Sequence, residues 1–443
     1  MQNLIRQFSK IKIIGAISFV FLIIFLNTPA ISLLGKSIFK VNSDKNSNLI
    51  SFGHNPVGQL GNGLSNKEFN APQYIEYSFG EVADIVAGEG HSLALTKEGK
   101  VWTWGSNSNG QLGIGSDVLY KLTPTELEYL PKIKKISASN KHSIALDENG
   151  HVWTWGNNFS GQLGNGSHVN SNKPVMLDDL SGVSSVVAGY RFSLVIKNDG
   201  KVWAFGASCG QNQNPEFKDF LKKLSSGLVS LDDTYFSAST KDLEVKDEEQ
   251  WDDCLGEDFV NIKSTVPVEV VGLDNVSELS AGYGHILALK KNGDLFAWGC
   301  NKYGQVGVGI FGNSEKNSRP QFIMSDVAQI SAGFRHSLVL KKNGSLWAWG
   351  HNISVELGVN GGVSYETPVE VPVMKDATFV RAGKDYSLAL KKDGSVWIWG
   401  QHIYRDRENL FMHLQDDPVK LQQLSSVTKF SPGAVHLLVL LNK

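Results

Sequence analysis

An all-β fold, a seven-bladed β-propeller of four-stranded antiparallel blades, is what this sequence predicts, and three observations predict it. First, an aromatic residue followed by glycine recurs as Phe52-Gly53, Trp104-Gly105, Trp155-Gly156, Phe205-Gly206, Trp298-Gly299, Trp349-Gly350 and Trp399-Gly400. Successive glycines lie 52, 51, 50, 93, 51 and 50 residues apart, and a period near 50 belongs to propellers or solenoids. Second, each unit carries the chemistry of short paired strands. An alternating run such as "HSLAL" leads into a turn ("KEGK", "ENGH", "NDGK", "KNGD", "KNGS" or "KDGS") and then into a partner strand such as "VWTWG". Glycine in those turns supplies positive φ at little steric cost. Third, seven further strands begin near Ala87, Ala138, Ala188, Ala281, Ala332, Ala382 and Gly433. The first aromatic-Gly strand has no such strand before it, and the last such strand has no aromatic-Gly strand after it. Pairing these two halves closes the ring and removes exposed sheet edges.

The chain begins with Arg6, Lys10 and Lys12 ahead of an uncharged run, residues 13–34. Its apolar heart, "IIGAISFVFLIIFL", suits the core of a signal peptide, with Thr28-Pro29-Ala30 as a cleavage site. The whole run is long enough to remain as an anchor. Residues 1–35 are therefore expected to be a signal peptide or signal anchor, an N-terminal hydrophobic helix. The basic flank keeps the terminus cytoplasmic and places the rest outside, secreted or membrane-anchored. A polar tether, residues 36–47, connects it to a propeller over residues 48–443.

Each unit is expected to open with a proline: Pro72, Pro124, Pro174, Pro267, Pro320, Pro368 or Pro418. Such a proline suits the start of an edge strand, which needs no ladder donor there. A glycine-rich loop, "GQLG" at Gly58, Gly110 and Gly161, leads out of the unit. That loop is lost after Gly206 and after Gly400. The long interval holds an acidic insertion at about residues 207–262. Within it, Phe217, Phe220, Leu221 and Leu224 have the spacing of a short amphipathic helix. Cys209 and Cys254 bracket it and are expected as a disulfide pair, with Cys300 as a competing partner.

On these repeats the chain resembles the regulator of chromosome condensation family of seven-bladed propellers. The resemblance covers about residues 48–206 and 263–443 and speaks to fold. Function has to come from the site. The family's founding activity, guanine-nucleotide exchange on a small GTPase, is the alternative function that the resemblance implies.

His91, His142, His285, His336 and His436 share one position in five units, with Phe192 and Tyr386 in the others. Metal ligands are not replaced by Phe, so these histidines are expected to hydrogen-bond backbone of their own or the next blade. No metal and no cofactor is expected. The Trp-x-Trp pairs, such as Trp102/Trp104 and Trp397/Trp399, are expected to pack between blades.

The two residues before the histidine position vary while their neighbours repeat. They include Asn140-Lys141, Tyr190-Arg191, Tyr283-Gly284, Phe334-Arg335 and Lys384-Asp385. Variable loops on one face of a rigid ring make a composite surface, and Tyr, Phe and Arg are typical interface anchors. Asn140, Lys141, Tyr190, Arg191, Tyr283, Phe334, Arg335, Lys384 and Asp385 form the expected binding face. Family members use this position for dimerising or enzyme-binding surfaces. "GFRHS" and "GYRFS" resemble a Trp-Arg motif there, with Phe and Tyr in place of the Trp, which argues against photoreception.

The chain has 443 residues and a formal net charge of −2, so no overall field draws it to nucleic acid. No nucleophile elbow, phosphate loop or paired-Cys metal spacing is present. The expectation is a monomeric, non-catalytic, extracytoplasmic binding module. Its partner is a protein or a cell-envelope polymer, and it meets the membrane only through its N-terminal segment.

Overall fold

The computed structural model describes residues 48–207, 263–312, 315–401, 415–421, 424 and 426–442. The expected N-terminal helix, the tether, the amphipathic helix, Cys209 and Cys254 lie outside these. Among the described residues no helix is long and apolar enough to cross a membrane.

Seven four-stranded antiparallel sheets form the body. Blade I spans residues 82–126, with strands Val82–Ala87, His91–Thr96, Val101–Ser106 and Tyr120–Glu126. Blades II to VI repeat this order over residues 133–176, 183–269, 276–324, 327–370 and 377–420. Blade VII is composite. Val427–Pro432 and His436–Leu441 come from one end of the chain, Leu49–Asn55 and Asn66–Tyr74 from the other. Leu49 to Gly53 pair with Leu440 to His436 in unbroken antiparallel register. The predicted closure is therefore present.

The first strand of every blade touches the first strands of both neighbours, so these strands form the inner ring. Direct bonds join them. The amides of Ala87, Ala188, Ala332 and Ala382 donate to Oγ of Ser431, Ser137, Ser280 and Ser331 on the preceding blade, at 2.8–2.9 Å. The apolar core also runs between blades. Leu93 and Leu95 of blade I share a cluster with Ile133, Ile136 and Trp155 of blade II. Each fully buried aliphatic side chain of this kind contributes about 1.5–3 kcal/mol.

The prolines do not open the fourth strands. Pro72, Pro124, Pro174, Pro267, Pro368 and Pro418 lie inside them, each at a shift of register against the third strand; Pro320 alone precedes its strand. A bulge on an outer strand removes the need for the missing N–H. The aromatic-Gly glycine is needed for close approach. Gly105 has φ +94°, and a Cβ there would lie 2.5 Å from the Gly90 carbonyl oxygen.

Candidate functional site

The histidines latch the blades, though not through backbone as expected. Nε2 of His91, His142, His285, His336 and His436 lies 2.9–3.0 Å from Oγ of Ser143, Ser193, Ser337, Ser387 and Ser92 on the next blade. Each of those hydroxyls donates in turn to a carbonyl: Gln111, Gln162, Gln305, Glu356 or Gln59. The serine proton is thereby committed, so the imidazole is the donor, protonated at Nε2. Burial holds all five well below the usual histidine range, at about 3, with neighbouring imidazoles adding to the depression at His91 and His336. A Cβ on Gly88 would sit 2.3 Å from the His91 ring, which accounts for the "AG" that precedes the position. The inner member of three Trp-x-Trp pairs joins the same latch, while the Trp399 N–H is buried without a hydrogen-bond partner among the described residues. Trp104, Trp155 and Trp349 donate to the Gln59, Gln111 and Gln305 carbonyls at 2.9 Å.

The variable pairs follow the inner strands and lie together on one face. Their backbones are linked from blade to blade. Glu89 N–H donates to the Asn140 carbonyl at 3.3 Å, Tyr283 to Phe334 at 3.3 Å and Phe334 to Gly383 at 3.1 Å. The Tyr190 and Tyr283 rings pack with centroids 4.4 Å apart, Tyr283 and Phe334 at 4.3 Å, and Tyr190 and Phe334 meet edge-on at 6.2 Å. Blades III, IV and V thus contribute one aromatic cluster. Cations rim it. Arg335 lies over Phe334 at 5.0 Å and over Tyr303 at 5.1 Å, Lys384 over Phe334 at 5.4 Å, and Arg191 over Tyr190 at 5.9 Å. Such contacts are worth about 0.5–2 kcal/mol, more where water is excluded. Burial, then the Glu89 carboxylate and the Tyr283 ring nearby, push the Tyr190 phenol up, while Arg191 and a hydrogen bond from Asn140 oppose the shift.

Seven of the nine expected residues therefore meet: Asn140, Tyr190, Arg191, Tyr283, Phe334, Arg335 and Lys384. Lys141 makes no described side-chain contact; its carbonyl accepts the Asn157 amide. Asp385 turns instead toward His351 and Glu356. Cys300 is disulfide-bonded. Cys209 and Cys254, the pair expected from the sequence, lie outside the described residues.

Two features were not anticipated. Tyr303, from an exit loop, extends the cluster beneath Arg335. The third residues of the inner strands bring charge into the ring. Lys429 Nζ meets Asp84 Oδ1 at 3.1 Å, and Lys135 Nζ donates to Ser185 Oγ at 2.6 Å. Glu278 and Arg381 join the same field. Burial raises the Glu278 carboxyl and lowers the Lys135 and Arg381 groups. The signal in sequence was a charged residue recurring within otherwise apolar strands.

Seven blades, a closing sheet built from both ends of the described chain and histidine latches between blades define the class, a seven-bladed repeat propeller. The chain belongs to the RCC1-like domain family, whose model matches residues 48–439. It is 29% identical over 337 residues to the ultraviolet-B receptor UVR8 of Arabidopsis thaliana, covering 74% of this chain and 66% of the receptor, just under two thirds of its length. Human WBSCR16 superposes with a TM-score of 0.68 at 18% identity, over 89% of this chain and 98% of that one. Prp20p of Saccharomyces cerevisiae gives 0.67 at 21% identity, over 88% and 90%. Those two likenesses are of fold.

Proposed function

We propose that this chain is a non-catalytic binding platform, and that the cation-rimmed cluster of Tyr190, Tyr283 and Phe334 is where it holds a partner protein. One observation supports this most. Three large aromatics, each at a position that varies between repeats, are gathered from three blades onto one face beside Arg191, Arg335 and Lys384. Aromatic and arginine anchors of this kind carry a disproportionate share of binding energy. Propellers of this fold bind proteins; Prp20p is described with its binding properties to Gsp1p and histones.

The uncharged run at residues 13–34 behind three basic residues supports an extracytoplasmic location. N-terminal sequencing of the mature protein tests this; a cytoplasmic, unprocessed and unanchored chain overturns it and returns weight to the exchange-factor alternative. For the face itself, the combined variant Tyr190→Ala, Arg191→Ala, Phe334→Ala and Arg335→Ala is compared with wild type in capture of protein from cell-envelope extract. Loss of specific capture at an unchanged melting temperature is the expected result. Undiminished capture removes the face from consideration. A nucleotide-release assay in parallel reads the exchange alternative directly.

A further inference from the structure

One exit loop departs from the others in charge. Gln59, Gln111, Gln162 and Gln305 occupy the same place in four units. Their Oε1 atoms accept the amides of Val57, Asn109, Ser160 and Tyr303 at 2.8–3.1 Å. The amide nitrogens of Gln111 and Gln162 donate onward to Ser106 Oγ at 3.1 Å and Asn157 Oδ1 at 2.7 Å. In blade V the equivalent residue is Glu356, fully buried. Its Oε2 accepts the Ser354 amide at 2.9 Å, as the glutamines do. Its Oε1 accepts from Nδ1 of His351, which stands where Ser106 and Asn157 stand in their units. The donor and acceptor have changed places.

A glutamine would have satisfied the loop without burying a negative charge. A second carboxylate lies close by. Asp385 comes from a position held by Gly90, Lys141, Arg191, Gly284, Arg335 and Val435 in the other blades. One ligand atom from each of His351, Glu356 and Asp385 lies within 4.8 Å of the others. Among the described residues none of the three has a Lys or Arg within ion-pair distance, and the imidazole is the one ionisable group paired with Glu356. The His351 ring is walled on one side by Tyr303, edge-on at 4.9 Å. Among the described residues, two carboxylates, one of them fully buried, thus share a single imidazole as their counter-charge.

We infer that His351, Glu356 and Asp385 bind a divalent transition ion, of which Zn²⁺ is the type, at the junction of blades V and VI. An imidazole nitrogen with two carboxylate oxygens suits Zn²⁺ and its neighbours, whereas Mg²⁺ and Ca²⁺ take oxygen ligands. Bonds of about 2.0–2.2 Å place ligand atoms roughly 3.3 Å apart. Closure by Asp385, half-buried on its loop, supplies the difference. The ion replaces the proton shared by His351 and Glu356. Three protein ligands leave a position for water or for an atom of whatever docks on the adjoining face.

The test is calorimetric titration of the full chain with ZnCl₂, with MgCl₂ as comparison, beside melting curves with and without EDTA. Two variants accompany wild type. H351N/E356Q installs the Asn–Gln pair that the molecule already uses at Asn157 and Gln162, so its fold is provided for. D385N changes only the half-buried loop carboxylate. Wild type is expected to bind Zn²⁺ at one tight site, with an EDTA-reversible rise in melting temperature. Both variants are expected to bind at least about tenfold more weakly while melting like wild type without metal. Zn²⁺ uptake by wild type that matches H351N/E356Q overturns the inference and leaves His351–Glu356 as a hydrogen bond alone. Both variants keep all three cysteines, so thiol binding cancels in the comparison. Capture of a protein partner is not read here, so this outcome is separate from that of the ring-face variant.

Discussion

Five blade junctions are polar and two are apolar, and the difference shows what the repeat conserves. At the polar junctions a histidine donates to a serine on the next blade, and that serine donates to a carbonyl in the exit loop of its predecessor. At the junction of blades III and IV the histidine is Phe192 and the serine is Ile286, which share one buried cluster. At the junction of blades VI and VII they are Tyr386 and Leu437, both buried. These are the two junctions whose exit loop departs from the repeat, after Gly206 and after Gly400. At the polar junctions the exit loop supplies the carbonyl that receives the serine, and the serine supplies the acceptor for the histidine. Loop, serine and histidine are kept or lost together. A buried hydroxyl or imidazole left without its partner costs about 1–3 kcal/mol, so partial loss is the least stable arrangement. The unit of design is therefore a three-residue relay that crosses a blade boundary.

The largest expected effect is acid lability confined to the polar junctions. The five histidines titrate near 6.5 in the unfolded chain and near 3 in the fold. Between those values the unfolded chain binds more protons, so stability falls as pH falls below 6.5. Each group removes about 1.4 kcal/mol per pH unit, and the five together about 7. Against a total of about 5–15 kcal/mol, unfolding is expected within one to two pH units below 6.5. Glu278 and Glu356, raised by burial, oppose this from their raised values down to the ordinary carboxylate value, and so offset part of the slope in the same range. Melting temperature measured from pH 7.5 to 4.5 checks it. His91→Phe, which copies Phe192, should reduce the slope by about one proton in five. A flat profile means that the imidazoles are accessible and the latch is not as described.

The same residue type should have opposite effects at the two kinds of junction. Ile286→Ser places a hydroxyl in a buried apolar cluster and removes apolar volume, a loss of about 2–4 kcal/mol. Ser143→Ala leaves the His91 Nε2–H without an acceptor, a loss of about 1–3 kcal/mol. Urea unfolding midpoints at pH 7.5 compare them. If serine is tolerated at 286 as well as at 143, the relay does not discriminate between junctions.

How much of this was legible in the sequence depended on distance along the chain. The propeller and its closure were, because the aromatic-Gly period and the unmatched half-units at the two ends are one-dimensional signals. The aromatic cluster was legible in part. Tyr190, Tyr283 and Phe334 stood out as variable residues in a fixed frame, but their mutual stacking depends on how three loops converge. The histidine partner was misjudged as backbone because the serine lies 51 or 52 residues away. "HI" at His285 and "HL" at His436, in place of "HS", were the available clues. Proline position was misplaced because a bulge and a strand start look alike in sequence. The inner-ring charges at Asp84, Lys135, Glu278 and Lys429 escaped because alternation does not say which side of a strand faces the axis.

Tyr386 gives the smallest test and the sharpest. It sits at an apolar junction yet keeps one polar contact, its hydroxyl donating to the Gly433 carbonyl at 3.0 Å on blade VII. Its ring fills the space that Gly383 leaves open, as Phe192 does over Gly189. If the junction is apolar in kind, Tyr386→Phe keeps the packing and loses one neutral hydrogen bond, about 0.5–1.5 kcal/mol. The acid slope should not change, because burial already holds that phenol protonated far above the range in which the histidines titrate. Tyr386→Phe and Ser143→Ala measured together separate the two kinds of junction. A loss at Tyr386 as large as that at Ser143, or a shift in the acid profile, makes this hydroxyl a sixth latch and dissolves the division into two kinds.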